Sequence, residues 1–488
     1  MNPTLETAAN RDQLRRVAID PVSRVEGHGK VTLLLDEDGH VHEARLHIVE
    51  FRGFEAFIEG RPYWEVPVIV QRLCGICPVS HHLAAAKALD AIVGARPITV
   101  TAEKMRRLMH YGQIMQSHAL HFFHLSSPDL LFGFESEVGR RNIVGVAEAY
   151  PDVARQGIGL RRYGQQVIEA TAGKRIHGTS AVPGGIHKHL ARDDRDRLRA
   201  EADAMVVSAR DAVHLVRKLH EADPGLYDVF GHVASPLLSL VRADGAMDLY
   251  DGHLRVRGAD GTLRYDRVPV DDYMSFITES VKPWSYMKFP HITEMGPALG
   301  WYKVGPLARV QTCDFIPTPL AEAERKAFMD YSGGRLQHAP LAFHWARMIE
   351  MLHAMEVIRE LLDDPDVLAG ERMAEGARAT NGIGVIEAPR GTLFHHYAVN
   401  EDDLVSWCNL IVSTTSNNQA MNTAVREVAR RYLDGKTLTE GLLNHIEVAI
   451  RAFDPCLSCA THALGKMPLV LELCDADGGL IDRVVRHA

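Results

Sequence analysis

Seven cysteines stand in this chain of 488 residues, and four fall into two C-x-x-C pairs. Cys74 and Cys77 sit in RLCGICPVSHH near the N-terminus, and Cys456 and Cys459 in DPCLSCATH near the C-terminus. Two intervening residues let both sulfurs of a pair reach one ion, so two pairs make a four-sulfur site. A zinc ribbon keeps its paired knuckles about 15–20 residues apart, whereas these lie at opposite ends of the chain, which fits a local structural zinc site poorly. Soft thiolates suit zinc, iron–sulfur clusters and thiophilic nickel chemistry alike, so spacing does not choose the metal. Two unrelated buried pairs are the alternative. Cys313, Cys408 and Cys474 stand alone and read as plain thiols. His118, His121 and His124 tempt as a metal trio, but steps of three spread them over a wide helical arc, and packing is the simpler role.

The elements that must position these residues are mostly helical. The first cysteine pair precedes an Ala-rich helical pattern, whose N-terminus would favour the thiolate. The second follows a helix through Leu442, Leu443, Ile446 and Ile450 that Asp454-Pro455 ends. Other helices carry Met105, Leu108, Met109 and Met115 with Thr101 as cap; Trp345, Met348, Ile349, Leu352, Met355 and Leu362; and Met421, Ala424, Val425, Val428 and Tyr432, stopping at Gly435. Alternation from Val31 to Phe51 about Asp38-Gly39 reads as a β-hairpin, and a second pattern lies around Asp251-Gly252 and Asp260-Gly261. The fold class is mainly α with small β elements (α+β), one large helical unit without repeats or linkers.

Composition narrows the function. Lys and Arg total 54 against 63 Asp and Glu, a formal charge of −9. That balance argues against a general nucleic-acid binder, which needs a cationic excess. No apolar run approaches the roughly 20 residues of a membrane span. The first sixteen residues lack an apolar export segment and read as a disordered leader, predicting a cytoplasmic protein in which paired cysteines do metal or redox work.

R-x-C-G-x-C-x-x-x-H and D-P-C-x-x-C-x-x-H together resemble the two signatures of nickel–iron hydrogenase large (catalytic) subunits. DPVSRVEGHG (20–29), EFRGFE (50–55), HGTSAVPGG (177–185), YKVGPLAR (302–309) and GIGVIEAPRGTLFHHY (382–397) agree, in the family's order and over nearly the whole chain. The blocks look most like those of the soluble, bidirectional class that exchanges electrons with NAD(P). The fold implied is the helical-bundle core of that subunit, with a catalytic domain over 17–462. The activity implied is reversible heterolytic cleavage of H2.

By this resemblance Cys74, Cys77, Cys456 and Cys459 bind nickel, and Cys77 and Cys459 bridge to an iron carrying carbon monoxide and cyanide. Arg390 stands over the metal pair; because an arginine stays protonated, polarisation suits it better than a base role. Cys456 accepts the proton and Glu26 relays it outward, a task that a carboxyl with a raised pKa beside a thiolate would suit. Asp454 and Asp129 pair with the arginine or cap the pocket. Glu55 and His462 are implied ligands of magnesium, with a backbone carbonyl near Leu410 as a third, although Mg2+ ordinarily prefers oxygen. His81 lies near iron, and Thr414 hydrogen-bonds a cyanide.

Once the four cysteines are used, no iron–sulfur signature remains. The resemblance therefore implies a partner, the iron–sulfur small subunit, with diaphorase subunits beyond it; NAD(P), a deazaflavin or a disulfide-reducing partner stay open as acceptors. Family members end at the histidine of the second signature, whereas this chain continues over 463–488. The resemblance implies an extension removed by a dedicated peptidase after maturation factors insert nickel, and its alternation about Asp477-Gly478 reads as a hairpin. Two other readings stand beside the enzyme. One is a non-catalytic scaffold subunit of an electron-transfer complex, which would lack the cysteine pairs; the other is a structural zinc module.

Overall fold

Apolar alternation near the N-terminus folds as the expected hairpin and gains a strand. In this computed structural model, which describes residues 15–462, 469–474 and 480–486, β1 (Arg15–Ile19), β2 (Gly29–Leu35) and β3 (Val41–Ile48) form one antiparallel sheet in that order. The β2–β3 turn is held by Asp36, whose Oδ1 accepts from the amides of Asp38 and His40, with Gly39 at φ 83°. Residues 1–14 of the expected leader lie outside the described residues, and Arg15 and Arg16 open β1.

Helices follow. Helix α1 (Pro78–Ile92) begins at Cys77 with proline in its first turn, where the missing amide costs nothing. Helix α2 (Val100–Leu120) is capped by Thr99, not Thr101: the Thr99 side chain accepts from Ala102 N at 3.1 Å, and Thr101 Oγ1 instead donates to Ala369 O. Beyond α2 the chain widens into a π-helical segment, His121–Ser126. Helix α3 (Pro151–Ala172) packs along α2, and α4 (Arg192–Ala222) packs on α3.

The second expected hairpin is a three-stranded antiparallel sheet of β4 (Leu237–Val241), β5 (His253–Arg257) and β6 (Leu263–Val268). The sequence reading did not identify the pair β7 (Ile277–Lys282) and β8 (Ser285–Ile292), whose register slips between Ser285 and Phe289.

At the centre runs α5 (Ala342–Asp363), buried without a break from Ala342 to Glu356. A helix enclosed on every face must pair its polar groups. Glu350 takes Arg309 through two 2.5 Å contacts and lies 2.7 Å from His118 Nε2, while Glu356 accepts the amides of Leu320 and Ala321.

The GIGVIEAPRGTLFHHY block becomes a hairpin, β9 (Asn381–Ala388) and β10 (Gly391–Val399), with β11 (Val405–Ile411) alongside. Its glycines have a packing cause: a Cβ on Gly384 would stand 2.1 Å from Ala84 O. Strand β9 therefore lies directly on α1, the helix that carries Cys77. Helices α6 (Asn418–Tyr432) and α7 (Glu440–Ala452) complete the body. Strands β12 (Leu469–Cys474) and β13 (Leu480–Arg486) pair antiparallel, as the tail's alternation predicts; the Asp477-Gly478 turn lies outside the described residues. Helix thus dominates, with small antiparallel sheets. Among the described residues no helix is long and apolar enough to cross a membrane.

Candidate metal centre

Two chain ends meet to build the site. Cys74 closes a 3-10 turn, Val70–Leu73, and its sulfur accepts the amides of Ile76 and Cys77 at 3.2 and 3.3 Å. Opposite it, the chain leaves α7, turns at Asp454 with φ 55°, and forms the short 3-10 turn Ser458–Ala460. The Sγ atoms of Cys74, Cys77, Cys456 and Cys459 all lie within 4.8 Å of one another and all four residues are buried. Cys74 and Cys456 sulfurs are 3.1 Å apart, Cys77 and Cys459 sulfurs 3.9 Å. Tetrahedral sulfurs on one metal, each at about 2.3 Å, would stand ~3.8 Å apart, so the spacing suits a shared metal and excludes the reading of two unrelated pairs.

The N-terminal RVEGH block clamps the second pair. Glu26 bridges to Cys456, and Leu457 N donates to Glu26 O at 3.0 Å. Gly27, at φ 82°, lies so close that a Cβ there would stand 2.7 Å from Ser458 N. This delivers the Glu26 carboxylate to the sulfur: Cys456 Sγ donates to Oε2 at 3.0 Å, Ser458 N donates to Oε2 at 3.2 Å, and Ser458 Oγ donates to Oε1. The Ser458 hydroxyl was not anticipated; its place inside the C-x-x-C loop is the signal that could have found it.

Electrostatics call for a cation here. Hydrogen bonds from Cys456, Cys459 and Cys74 push the Cys77 thiol well below its ordinary pKa, whereas burial pushes Cys456 and Cys459 well above theirs. A dry pocket supports one thiolate readily and further ones only beside positive charge. The donor set therefore fits a soft, thiolate-bound metal. On one flank lies a cavity of about 10 Å³ lined by Cys77, His81, Ala388, Arg390, Leu393, Val412, Ser413, Thr414 and Cys456.

Arg390 enters from the two-residue turn between β9 and β10, where Ala388 pairs with Gly391. Its Nη2 donates to Asp454 Oδ1 at 3.0 Å, while Nε and Nη1 have no protein partner. Burial opposes its charge, but Asp454 and the sulfurs of Cys456, Cys77 and Cys74 prevail and hold it protonated. Burial raises the Asp454 carboxyl to about 6 against the pull of Arg390 and Arg347. The turn thus aims a fixed positive charge with free donors into the cavity.

Other predicted residues divide. Thr414 Oγ1 accepts from Cys456 N at 3.0 Å, leaving its own proton free to donate into the cavity. His81 lines the same cavity and its Nδ1 stands 3.1 Å from His395 Nε2, whose ring reaches Tyr397 OH at 2.5 Å. Asp129 does not pair with Arg390. Its carboxylate is taken by Arg24 at 2.6 Å, Arg451 at 2.5 Å and Asn444 at 3.1 Å, so it ties α7 to the N-terminal block. The histidine trio packs as expected: His118 meets Glu350, and His121 Nε2 lies 2.7 Å from Arg451 O.

Glu55 and His462 both feel the charge of Lys288 and do not surround an open oxygen site. Both Glu55 oxygens accept from Lys288 Nζ, at 3.0 and 3.2 Å, and Oε1 also accepts Leu410 N at 2.8 Å. Lys288 also meets Glu279 and Asn409. His462 Nε2 lies 2.8 Å from Cys459 O, its pKa lowered to about 3 by burial, with Lys288 adding to the shift. Where the resemblance implied magnesium, an ammonium stands. Nothing local in the sequence marks Lys288, because a register slip in β8 delivers it.

Residues 52–132 and 261–462 match the nickel-dependent hydrogenase family, and residues 16–51 a HoxL-like family. The chain is 46% identical to the NAD-reducing hydrogenase HoxS subunit beta of Cupriavidus necator, covering 97% of this chain and 100% of that one. It is 40% identical to a subunit of the F420-non-reducing hydrogenase vhc of Methanococcus voltae, over 96% and 99% of the two chains. Among solved structures, an NAD+-reducing [NiFe]-hydrogenase in the H2-reduced state superposes with a TM-score of 0.90 at 60% identity, covering 92% of this chain and 99% of that one. The reduced Ni-Fe-Se hydrogenase of D. vulgaris Hildenborough superposes at 0.74 with 25% identity, over 92% and 100%.

Proposed function

The chain belongs to the nickel-dependent hydrogenases, and from that premise we propose that it is the H2-activating subunit of an enzyme that passes electrons to NAD through an iron–sulfur small subunit, then diaphorase subunits. The observation that carries its catalytic role is the convergence of four buried thiols, one hydrogen-bonded to a carboxylate and all beside a protonated arginine with free donors. A scaffold relative would have no use for that set, and a zinc module would need neither Arg390 nor Glu26.

Cys74, Cys77, Cys456 and Cys459 would hold a nickel–iron pair, with carbon monoxide and cyanide on the iron, which would supply the Lewis acidity and electron transfer for heterolytic cleavage of H2. This chain's residues do the rest. Arg390, protonated and anchored on Asp454, polarises and orients the substrate in the cavity. Cys456 Sγ takes the proton and hands it to Glu26 Oε2 across 3.0 Å. Thr414, whose hydroxyl proton is free, would donate to a cyanide, and the His81–His395–Tyr397 chain fixes the cavity wall.

Insertion of the metals by maturation factors precedes removal of 463–488 by a peptidase. The acceptor reading rests on likeness to the NAD-reducing relatives, and a cytoplasmic enzyme is the reading that an NAD acceptor supports. The test is purification of the native complex under H2, with metal analysis and identification of the co-purifying subunits. The expected result is nickel, iron, H2-dependent NAD+ reduction and a co-purifying iron–sulfur subunit. Zinc as the sole metal, or reduction of a deazaflavin in place of NAD+, would overturn the corresponding half of the reading.

A further inference from the structure

We propose that Lys288 is a permanent, built-in cation beneath the metal centre, occupying the position for which the family resemblance implied magnesium, so that this chain binds no magnesium there. The inference rests on the metal-centre reading and concerns a neighbouring site. Four oxygens surround the Lys288 ammonium: Glu55 Oε1 and Oε2 at 3.0 and 3.2 Å, Asn409 Oδ1 at 3.2 Å and Glu279 Oε2 at 3.4 Å. Those are hydrogen-bond lengths for a donor with three protons. Mg2+ demands oxygens at about 2.0–2.1 Å in an octahedron, and a second cation in the same cage would face the ammonium directly.

How the chain builds this is visible. Residues Ser285 to Phe289 break the β7–β8 register, and Asn418 Nδ2 donates to Lys288 O at 3.1 Å, anchoring the irregular strand. The side chain is only 15% exposed. The carboxylates of Glu55 and Glu279 set two negative charges against the ammonium. Glu55 in turn accepts Leu410 N, which ties the cage to β11. The His462 ring offers only the unpartnered Nδ1, because Nε2 already lies 2.8 Å from Cys459 O, and a single ring nitrogen does not make a magnesium site. Lys288 is therefore a positioning residue: it neutralises Glu55, which lies two residues beyond Gly53, whose amide donates to Thr461 O in the segment that carries Cys459 and His462, and it does not touch the sulfurs.

The first measurement uses the mature wild-type complex, desalted into magnesium-free buffer and analysed for nickel, iron and magnesium. Nickel and iron with magnesium below about a tenth of the nickel content are expected, because a stoichiometric Mg2+ would need the oxygens that Lys288 holds. One magnesium per nickel that survives desalting overturns the proposal. Absence of nickel and iron would overturn the metal-centre reading, and this proposal with it.

The second measurement compares Lys288→Ala and Lys288→Arg matured in cells with low and high Mg2+. Lys288→Ala should lose nickel occupancy about tenfold in low Mg2+ and regain it in high Mg2+, since an emptied carboxylate cage recruits the divalent ion. Lys288→Arg keeps a cation and should stay insensitive, like the wild type. A wild type that needs Mg2+ for nickel occupancy, or an alanine variant unchanged in nickel content and Tm, refutes it.

Discussion

Replacing Glu26 with glutamine separates proton transfer from assembly. Glu26 accepts three hydrogen bonds, from Cys456 Sγ, Ser458 N and Ser458 Oγ. The amide keeps the shape and one acceptor oxygen but turns two N–H donors toward groups that were donating. Ser458 can rotate to accept, so at most one contact is lost at a half-buried position, costing about 1 kcal/mol. The fold and the metals should survive that. Proton transfer should not, because an amide has no proton to exchange near neutral pH, and losing a positioned acid–base group typically slows a step about 10²–10⁴-fold, ~3–5 kcal/mol on the barrier. The assay is H/D exchange under D2, with nickel and iron content measured on the same preparation. Glu26→Asp is the graded companion: one methylene fewer withdraws the carboxylate by about 1.5 Å, enough to break a 3.0 Å contact, and an intermediate rate is expected. Wild-type exchange in a fully metallated glutamine variant would remove Glu26 from the path.

Cys77→Ser should abolish H2 uptake, because a neutral hydroxyl cannot replace a thiolate in the sulfur cluster; wild-type H2-dependent dye reduction with nickel bound would contradict that. Acid should destabilise the protein. His82, His110, His118 and His353 are buried and burial holds each near 4, below the unfolded value of about 6.5, so the unfolded chain binds more protons in between. Their contribution is complete above pH about 6.5 and is lost as pH falls toward about 4, each group giving up at most ~1.4 kcal/mol for every pH step of one across that window. Asp454, raised to about 6, and the buried Glu55, Glu279 and Glu387, also raised by burial, work in the opposite sense, but the buried histidines, with His121, His338, His344 and His395 lowered as well, outnumber them. Thermal unfolding followed from pH 7 to 5 should show a falling Tm, and a flat or rising profile would refute the balance. The mature subunit should end at His462, since Cys456, Cys459 and His462 are buried and must close over metals that enter an open site; intact mass decides, and an active, nickel-loaded subunit still ending at Ala488 would refute it.

How much of this was legible in the sequence varies by residue. The two C-x-x-C pairs, the helical classes and the β2–β3 hairpin follow from local rules: sulfur spacing, apolar periodicity and turn chemistry act within a few residues. The Asp454-Pro455 break shows itself the same way, and the turn that carries Arg390 could be singled out only through its block.

What the tertiary structure decided lies between elements distant in sequence. Thr99 rather than Thr101 caps α2, because Thr101 Oγ1 is drawn to Ala369 O across the fold. Asp129 looked like a pocket acid, but Arg24, Arg451, Arg141 and Asn444 reach it first. Glu55 looked like a magnesium ligand, and a slipped strand brings Lys288 to it. In each case the residue type set the chemistry available, an acceptor or a carboxylate. Which partner satisfies a buried charge depends on the element packed over it, and a Coulomb interaction that works over a few ångströms of space carries no signature in chain distance.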